Sequence, residues 1–145
     1  MIESLEHLNE QTKHTLMNQL GIHYTYVSQD RIEATMPVDE RTVQPFGILH
    51  GGATLALAET VAGLGSMLIC SSDEISVGMQ VSGNHLASAH MGDTVQAIAH
   101  LIHRGTLSHV WNVDVFTSAH KLVSSVRVVN YVKKKREYRK NDVFL

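Results

Sequence analysis

The sequence predicts an α+β domain in which an antiparallel sheet covers one central helix. Three observations carry that expectation. Six short runs read as β-strands, and most of their connections are short enough for hairpins, which favours antiparallel pairing. A run from about Gly51 to Cys70 is apolar on nearly every side, so something must wrap it, either the sheet or a second subunit. The order is a helix, two strands, the long helix and then a meander, which is the order of an α+β fold.

The elements follow along the chain. Residues 4–20 set Leu5, Leu8, Leu16 and Leu20 at the spacing of one amphipathic helix, with Gly21 as its stop. IHYTYV and RIEATMPV form the first strands, divided by the turn-prone SQD. The loop DERTVQPFG leads into the long helix. After SSDE come ISVGMQVSGNHL, TVQAIAHLIHRG, HVWNVDVFT and LVSSVRVVNYV, punctuated by HMGD, GTLS and SAHK. Trp111 and Phe116 read as sheet core, and Cys70 as filler near the helix end. Residues 1–132 make one domain. Residues 133–145, KKKREYRKNDVFL, form a basic tail that is solvated by default, contact with a phosphate-bearing ligand or nucleic acid being the alternative.

Composition narrows the function. The chain has 145 residues, enough for one domain with a real core. Its formal net charge of -2 gives no bias toward a nucleic-acid or membrane partner. A single cysteine excludes an intrachain disulfide framework and a CxxC metal site. The start, MIESLEHLNEQ, is polar and acidic, unlike a signal peptide, and no stretch is uninterruptedly apolar over ~18 residues. A cytoplasmic protein is expected. Ten histidines invite a metal site, but His100 and His103 are three apart on a strand and point to opposite faces. His85 and His90 lack a ligand cluster nearby, so no metal is expected. Neither a G-x-S-x-G elbow nor a phosphate-cradling GxxxxGK[ST] loop is present.

What remains is QPFGILHGGATLALAET, residues 44–60, with the carboxylate of Glu59 inside an apolar helix. It could lie on a solvated stripe, though its neighbours extend none. It could pair with a base from outside the helix, which itself has no Lys or Arg. Or it could work in a cleft where partial desolvation suits it to catalysis. Upstream, His50-Gly51-Gly52 opens the helix, where free N–H groups and the positive dipole end favour a developing oxyanion. Gln44 can donate to a carbonyl oxygen, and His50 can orient or polarise a neighbour. That set suits attack on an acyl carbonyl. Glu59 lies about 12 Å along the axis from Gly51, too far for its side chain to bridge. Two such helices crossing antiparallel near Leu55 would bring Glu59 of one to Gly51 of the other, and the small Ala53, Ala56 and Ala58 permit the approach. A homodimer is therefore part of the functional expectation.

On these residues, MPVDERTVQPFGILHGGATLALAE resembles hotdog-fold thioesterases. The likeness is strongest to the branch holding phenylacetate-pathway thioesterases and 1,4-dihydroxy-2-naphthoyl-CoA hydrolases. It runs from about Gly21 to Val132, with later echoes in VGMQVSGNHL and in HRG followed by VWNVDVF. The resemblance implies a helix wrapped by an antiparallel sheet, and an acyl-CoA thioesterase with sites at a dimer interface. It also implies a homotetramer built as a dimer of dimers. Glu59 would be nucleophile or general base, the Gly51 N–H the oxyanion donor, and Gln44 with His50 would position the thioester carbonyl. Coenzyme A contacts would fall at Gly78, at His85, Leu86, Ala87 and Ser88, and at His103, Arg104, Gly105, Thr106, Leu107 and Ser108. No cofactor is implied, coenzyme A being part of the substrate.

Two departures stand out. Relatives often carry a serine one turn after the glutamate, where this chain has Gly63, so a hydroxyl must come from elsewhere, Ser66 for example, or be absent. Relatives also often place an arginine within the NH-x-x-S stretch, which here reads NHLAS, leaving phosphate recognition to Arg104, His90 or the tail. The branch implies an aromatic acyl group and menaquinone synthesis, with a broad-range thioesterase as the neighbouring option. Two further readings are a hotdog hydratase or dehydratase, which needs an acid–base pair on the acyl chain, and a non-catalytic acyl-CoA-binding protein. Product analysis with an enoyl-CoA separates the first; binding without turnover marks the second.

Overall fold

A computed structural model describes residues 4–135. Helices α1 (Leu5–Gln11) and α2 (Leu16–Leu20) precede strands β1 (His23–Val27) and β2 (Arg31–Pro37). The long helix α3 (Gly51–Ile69) follows, then β3 (Glu74–His85), β4 (Thr94–Arg104), β5 (Ser108–Phe116) and β6 (Leu122–Lys134). The six strands form one antiparallel sheet in the order β1-β2-β4-β5-β6-β3, with α3 packed against it.

Two expectations are corrected by this arrangement. The single helix over residues 4–20 is two. Thr12 and Thr15 turn their hydroxyls onto the carbonyls of Asn9 and Thr12, at 2.8 and 2.5 Å, which competes with helix continuation. His14 then takes a left-handed φ of 62°, which a right-handed helix cannot carry. Gly21, at φ 73°, is the stop the sequence predicts.

The four later strands are not a simple meander either. Only β4, β5 and β6 follow one another; β3 crosses to the far edge beside β6, and β2 takes the place next to β4. The connection after β3 is too well anchored for a hairpin. Leu86 N–H donates to Val123 O at 2.8 Å, Leu49 N–H to Ala89 O at 2.8 Å, and Gly92 N–H to Val38 O at 2.8 Å. The segment thus runs along the sheet end beneath which α3 begins.

Against the sheet α3 buries Thr54, Leu57, Ala58, Val61, Ala62, Gly65 and Ser66. They meet Ile32, Ala34, Met36, Ala97, Ala99, Trp111, Val113 and Val128, all inaccessible to solvent. A fully buried Leu or Val of this kind contributes ~1.5–3 kcal/mol, so this layer is the main source of stability. On the other side of α3, Glu59 and Met67 are exposed in the single chain. The helix is long and apolar enough to span a membrane, but here it is the core helix under the sheet. Trp111 is core as expected, whereas Phe116, at the end of β5, is only half-buried, as is Cys70 at the α3 C-cap. Strand β6 carries the chain past Val132 to Lys134, whose ammonium pairs with Asp73 at 2.8 Å and Glu74 at 3.3 Å. Residues 136–145 of the basic tail lie outside the described residues.

Candidate active site

The start of α3 opens a groove lined by both polar and apolar side chains. His50 caps the helix, its Nδ1 accepting from Gly52 N–H at 2.8 Å, so His50 is tied to the backbone it precedes. Gly51 stands beside it with the imidazole of His85 pressed close. A Cβ at Gly51 would fall 2.6 Å from His85 Nε2, which only a glycine avoids. His85 is held in turn by its Nδ1, 2.8 Å from Ser124 Oγ. Gln44 closes a tight loop: its N–H donates to Ile48 O at 2.9 Å, and its Oε1 accepts from Phe46 N–H. The amide Nε2 of Gln44 makes no hydrogen bond to a described residue. Gln44, Gly51, His85, Leu86, Ala87 and Ser88 line one groove of about 360 Å³ with Thr54 and Ser124. The sequence pattern thus brought six of its predicted residues together. Ser124 and Thr54 it missed, because a serine on a strand and a threonine in an apolar helix carry no motif.

Glu59 lies two helical turns further on, in a second groove. Its walls are Leu8, Leu16, Met17, Tyr24, Leu64 and Met67, so α1 and α2 roof the exposed stripe of α3. Burial pushes the Tyr24 phenol up to about 12, so it stays a neutral hydroxyl at any physiological pH. Thr60 turns its hydroxyl back onto Ala56 O at 2.7 Å. Gly63 faces open space. Ser66, offered above as a substitute hydroxyl, is fully buried and accepts from Trp111 Nε1–H at 2.9 Å, so it does not reach the groove. Across from the helix, Glu59 Oε1 reaches the backbone of Gly78, where any Cβ would collide with it. Gly78 therefore borders the carboxylate.

His103 to Ser108 form the β4–β5 turn at the far end of α3. Arg104, Gly105 and Thr106 line a depression there with Ile69, Glu74 and His109. His109 is buried, which together with the nearby Arg104 holds its imidazole below the usual range, and its Nδ1 has no partner among the described residues. His90, by contrast, bridges to Ile48 near the helix start. Within one chain, then, the Gly51 groove, the Glu59 groove and the Arg104 turn are three separate places, spread along a helix of about 28 Å. Among the described residues, no three His, Cys, Asp or Glu side chains group as metal ligands.

Comparison with known proteins gives the arrangement its context. The thioesterase superfamily profile matches residues 46–124. The chain is 35% identical over 129 residues to the 1,4-dihydroxy-2-naphthoyl-CoA hydrolase of Escherichia coli, covering 89% of this chain and 94% of that one. It is 41% identical over 113 residues to the proofreading thioesterase EntH of Cronobacter turicensis, covering 78% and 82%. The crystal structure of a Haemophilus influenzae thioesterase superposes with a TM-score of 0.88 at 39% identity, covering 92% and 93%.

Proposed function

Because this chain belongs to the thioesterase superfamily and is a thioester hydrolase of the hotdog fold, we propose that it cleaves an aromatic acyl-CoA to the free acid and coenzyme A. One observation carries the reading: a carboxylate, Glu59, on the rim of an apolar groove, and a separate groove of mixed lining at a helix N-terminus. The acyl group lies against Leu8, Leu16, Met17 and Tyr24, with its carbonyl at Glu59. That wall suits a flat apolar ring, and the neutral Tyr24 hydroxyl suits a polar ring substituent. A hydroxylated aromatic acyl group such as 1,4-dihydroxy-2-naphthoyl fits both, whereas phenylacetyl fits the apolar wall alone. On this reading the protein acts in menaquinone synthesis.

The carbonyl needs both grooves, and one chain keeps them apart. A two-fold homodimer, itself paired into a tetramer, brings the Gly51 groove of the partner to Glu59. Gly51 N–H and Gln44 Nε2 then hold the oxyanion, and His50 fixes the helix start. Glu59 acts as general base. It takes a proton from water as the water oxygen bonds to the carbonyl carbon; the C–S bond breaks and the proton passes to the departing thiolate. No cofactor or metal takes part. The pantetheine and nucleotide run along His85 to Ser88 and Gly78, with Arg104 and the rest of the His103–Ser108 turn meeting phosphate. The protein acts in the cytoplasm, with no nucleic-acid or membrane partner.

The test is thiol release from benzoyl-, phenylacetyl-, 1,4-dihydroxy-2-naphthoyl- and aliphatic acyl-CoA, with wild type and Glu59→Ala. The aromatic thioesters are expected to be cleaved fastest, and Glu59→Ala to lose on the order of 10²–10⁴ in kcat, the range of a general base, with its melting temperature unchanged. A folded Glu59→Ala with normal turnover would overturn the assignment. Hydration of an enoyl-CoA without thiol release would move the protein to the hydratases.

A further inference from the structure

Two hydrogen-bond acceptors, Glu59 Oε1 and Asn130 Oδ1, border the space over Gly78. Asn130 on β6 is paired with Gly78 on β3 in the sheet register and is 1% exposed. Its amide can sit only one way round. Asn130 Nδ2 donates to Ala62 O at 3.1 Å and to Ser66 Oγ at 2.9 Å, and since a backbone carbonyl only accepts, the amino end must face the helix. Ser66, fixed by the Trp111 indole, locks that choice. Asn130 Oδ1 consequently points away from the helix and has no hydrogen-bond partner among the described residues. It lies 3.9 Å from where a Cβ of Gly78 would stand, a position that Glu59 Oε1 already crowds.

An acceptor buried without a donor is costly, and the cost is recovered only in a state where a hydrogen reaches it. Ionised Glu59 offers none; protonated Glu59 does. We propose that Asn130 is a positioning residue for Glu59, its Oδ1 accepting the hydrogen that stands between the two groups while Glu59 carries the proton taken from water. This rests on Glu59 being the base. Asn130 gains and loses no atom: the proton arrives from water as the C–O bond forms, and leaves to the thiolate as the C–S bond breaks. The arrangement also gives Gly78 a purpose, since any side chain there would part the carboxylate from the amide. And it supplies a polar partner where Gly63, one turn after Glu59, offers no hydroxyl.

The experiment measures kcat and KM with benzoyl-CoA for wild type, Glu59→Gln, Asn130→Val and Asn130→Val combined with Gly63→Ser, each with its melting temperature. Asn130→Val is expected to lower kcat about tenfold or more, as for loss of a hydrogen bond to a charged or proton-carrying group, with KM within about twofold. The added Gly63→Ser, entering open space on the same helix face, is expected to recover part of the loss. If Asn130→Val does not fold, Asn130→Asp decides. A carboxyl there shares a proton with Glu59, so the acid limb of kcat against pH moves up by about one unit. Unchanged kcat in Asn130→Val, or an unmoved acid limb in Asn130→Asp, overturns the inference. If Glu59→Gln is inactive while the Asn130 variants are normal, only Asn130 loses its role; if wild type cleaves no thioester, the hydrolase reading falls with it.

Discussion

Two glycines two residues apart on α3, and so on opposite faces of the helix, show how differently a single methyl can act. A Cβ at Gly65 would meet Trp111 Cζ2 and Cη2 at 2.5 Å and Ile32 Cγ1 at 3.1 Å. A Cβ at Gly63 would meet nothing within 4 Å. Alanine gains ~1 kcal/mol over glycine in a helix interior at either site. At Gly65 that gain is outweighed by overpacking of ~1–3 kcal/mol, because neither the indole, tied to Ser66, nor the strand beneath can withdraw. Gly65→Ala is therefore expected to lower the melting temperature by several degrees, and Gly63→Ala to raise it slightly. Calorimetry on both checks the pair; equal shifts would mean that α3 does not sit this close to the sheet. At this scale the sequence was legible where chemistry needs a rare residue in a rare place. Glu59, Gly51 and Gln44 stood out as a polar set around an apolar helix. Asn130 did not, because an asparagine among the valines of β6 reads as any strand polar residue until its register partner is known.

Elements decide which groove the acyl group meets. Helix α1 is held to β1 by one side chain: Asn9 Nδ2 donates to Tyr24 O at 3.0 Å, and Asn9 Oδ1 accepts from Tyr24 N–H at 2.8 Å. This two-point clip does for α1 what seven residues of helix propensity cannot, since a helix so short is marginal alone. Asn9→Ala removes both bonds and is expected to cost ~1–3 kcal/mol. Because Leu8 and Gln11 of α1 also wall the Glu59 groove, the variant should raise KM for an aromatic acyl-CoA more than it lowers kcat. Steady-state kinetics with a melting curve tests this, and an unchanged KM would remove α1 from the binding groove. Apart from the break between α1 and α2, the elements were readable from periodicity and turn residues, down to the β-strands between SQD, HMGD, GTLS and SAHK. Their neighbours were not. Hairpin-short spacing argued for β3 beside β4, but hydrogen bonds from Leu86, Leu49 and Gly92 carry that connection across the sheet end, and such tertiary anchors leave no local pattern.

For the whole molecule, the separation of the two grooves is the decisive fact. Gly51 and Glu59 sit on one rigid helix, and no bending of α3 brings them to one carbonyl. Either the chemistry uses only one groove, or a second copy supplies the other. Edge strand β3 is exposed on both faces and has β6 on one side only, so the monomer also leaves a long sheet edge unpaired. Subunit mixing distinguishes the alternatives. Glu59→Gln and Gln44→Ala are each expected to be inactive as pure proteins. In a heterodimer of the two, one composite site combines the intact Glu59 of one chain with the intact Gln44 of the other, while the second site carries both defects. Random exchange at equal amounts makes half the dimers mixed, so activity should return to about a quarter of wild type. If each chain held its own complete site, every site in the mixture would be damaged and no activity would return. The readout is thiol release after unfolding and refolding the two variants together, against the same amounts refolded apart and combined.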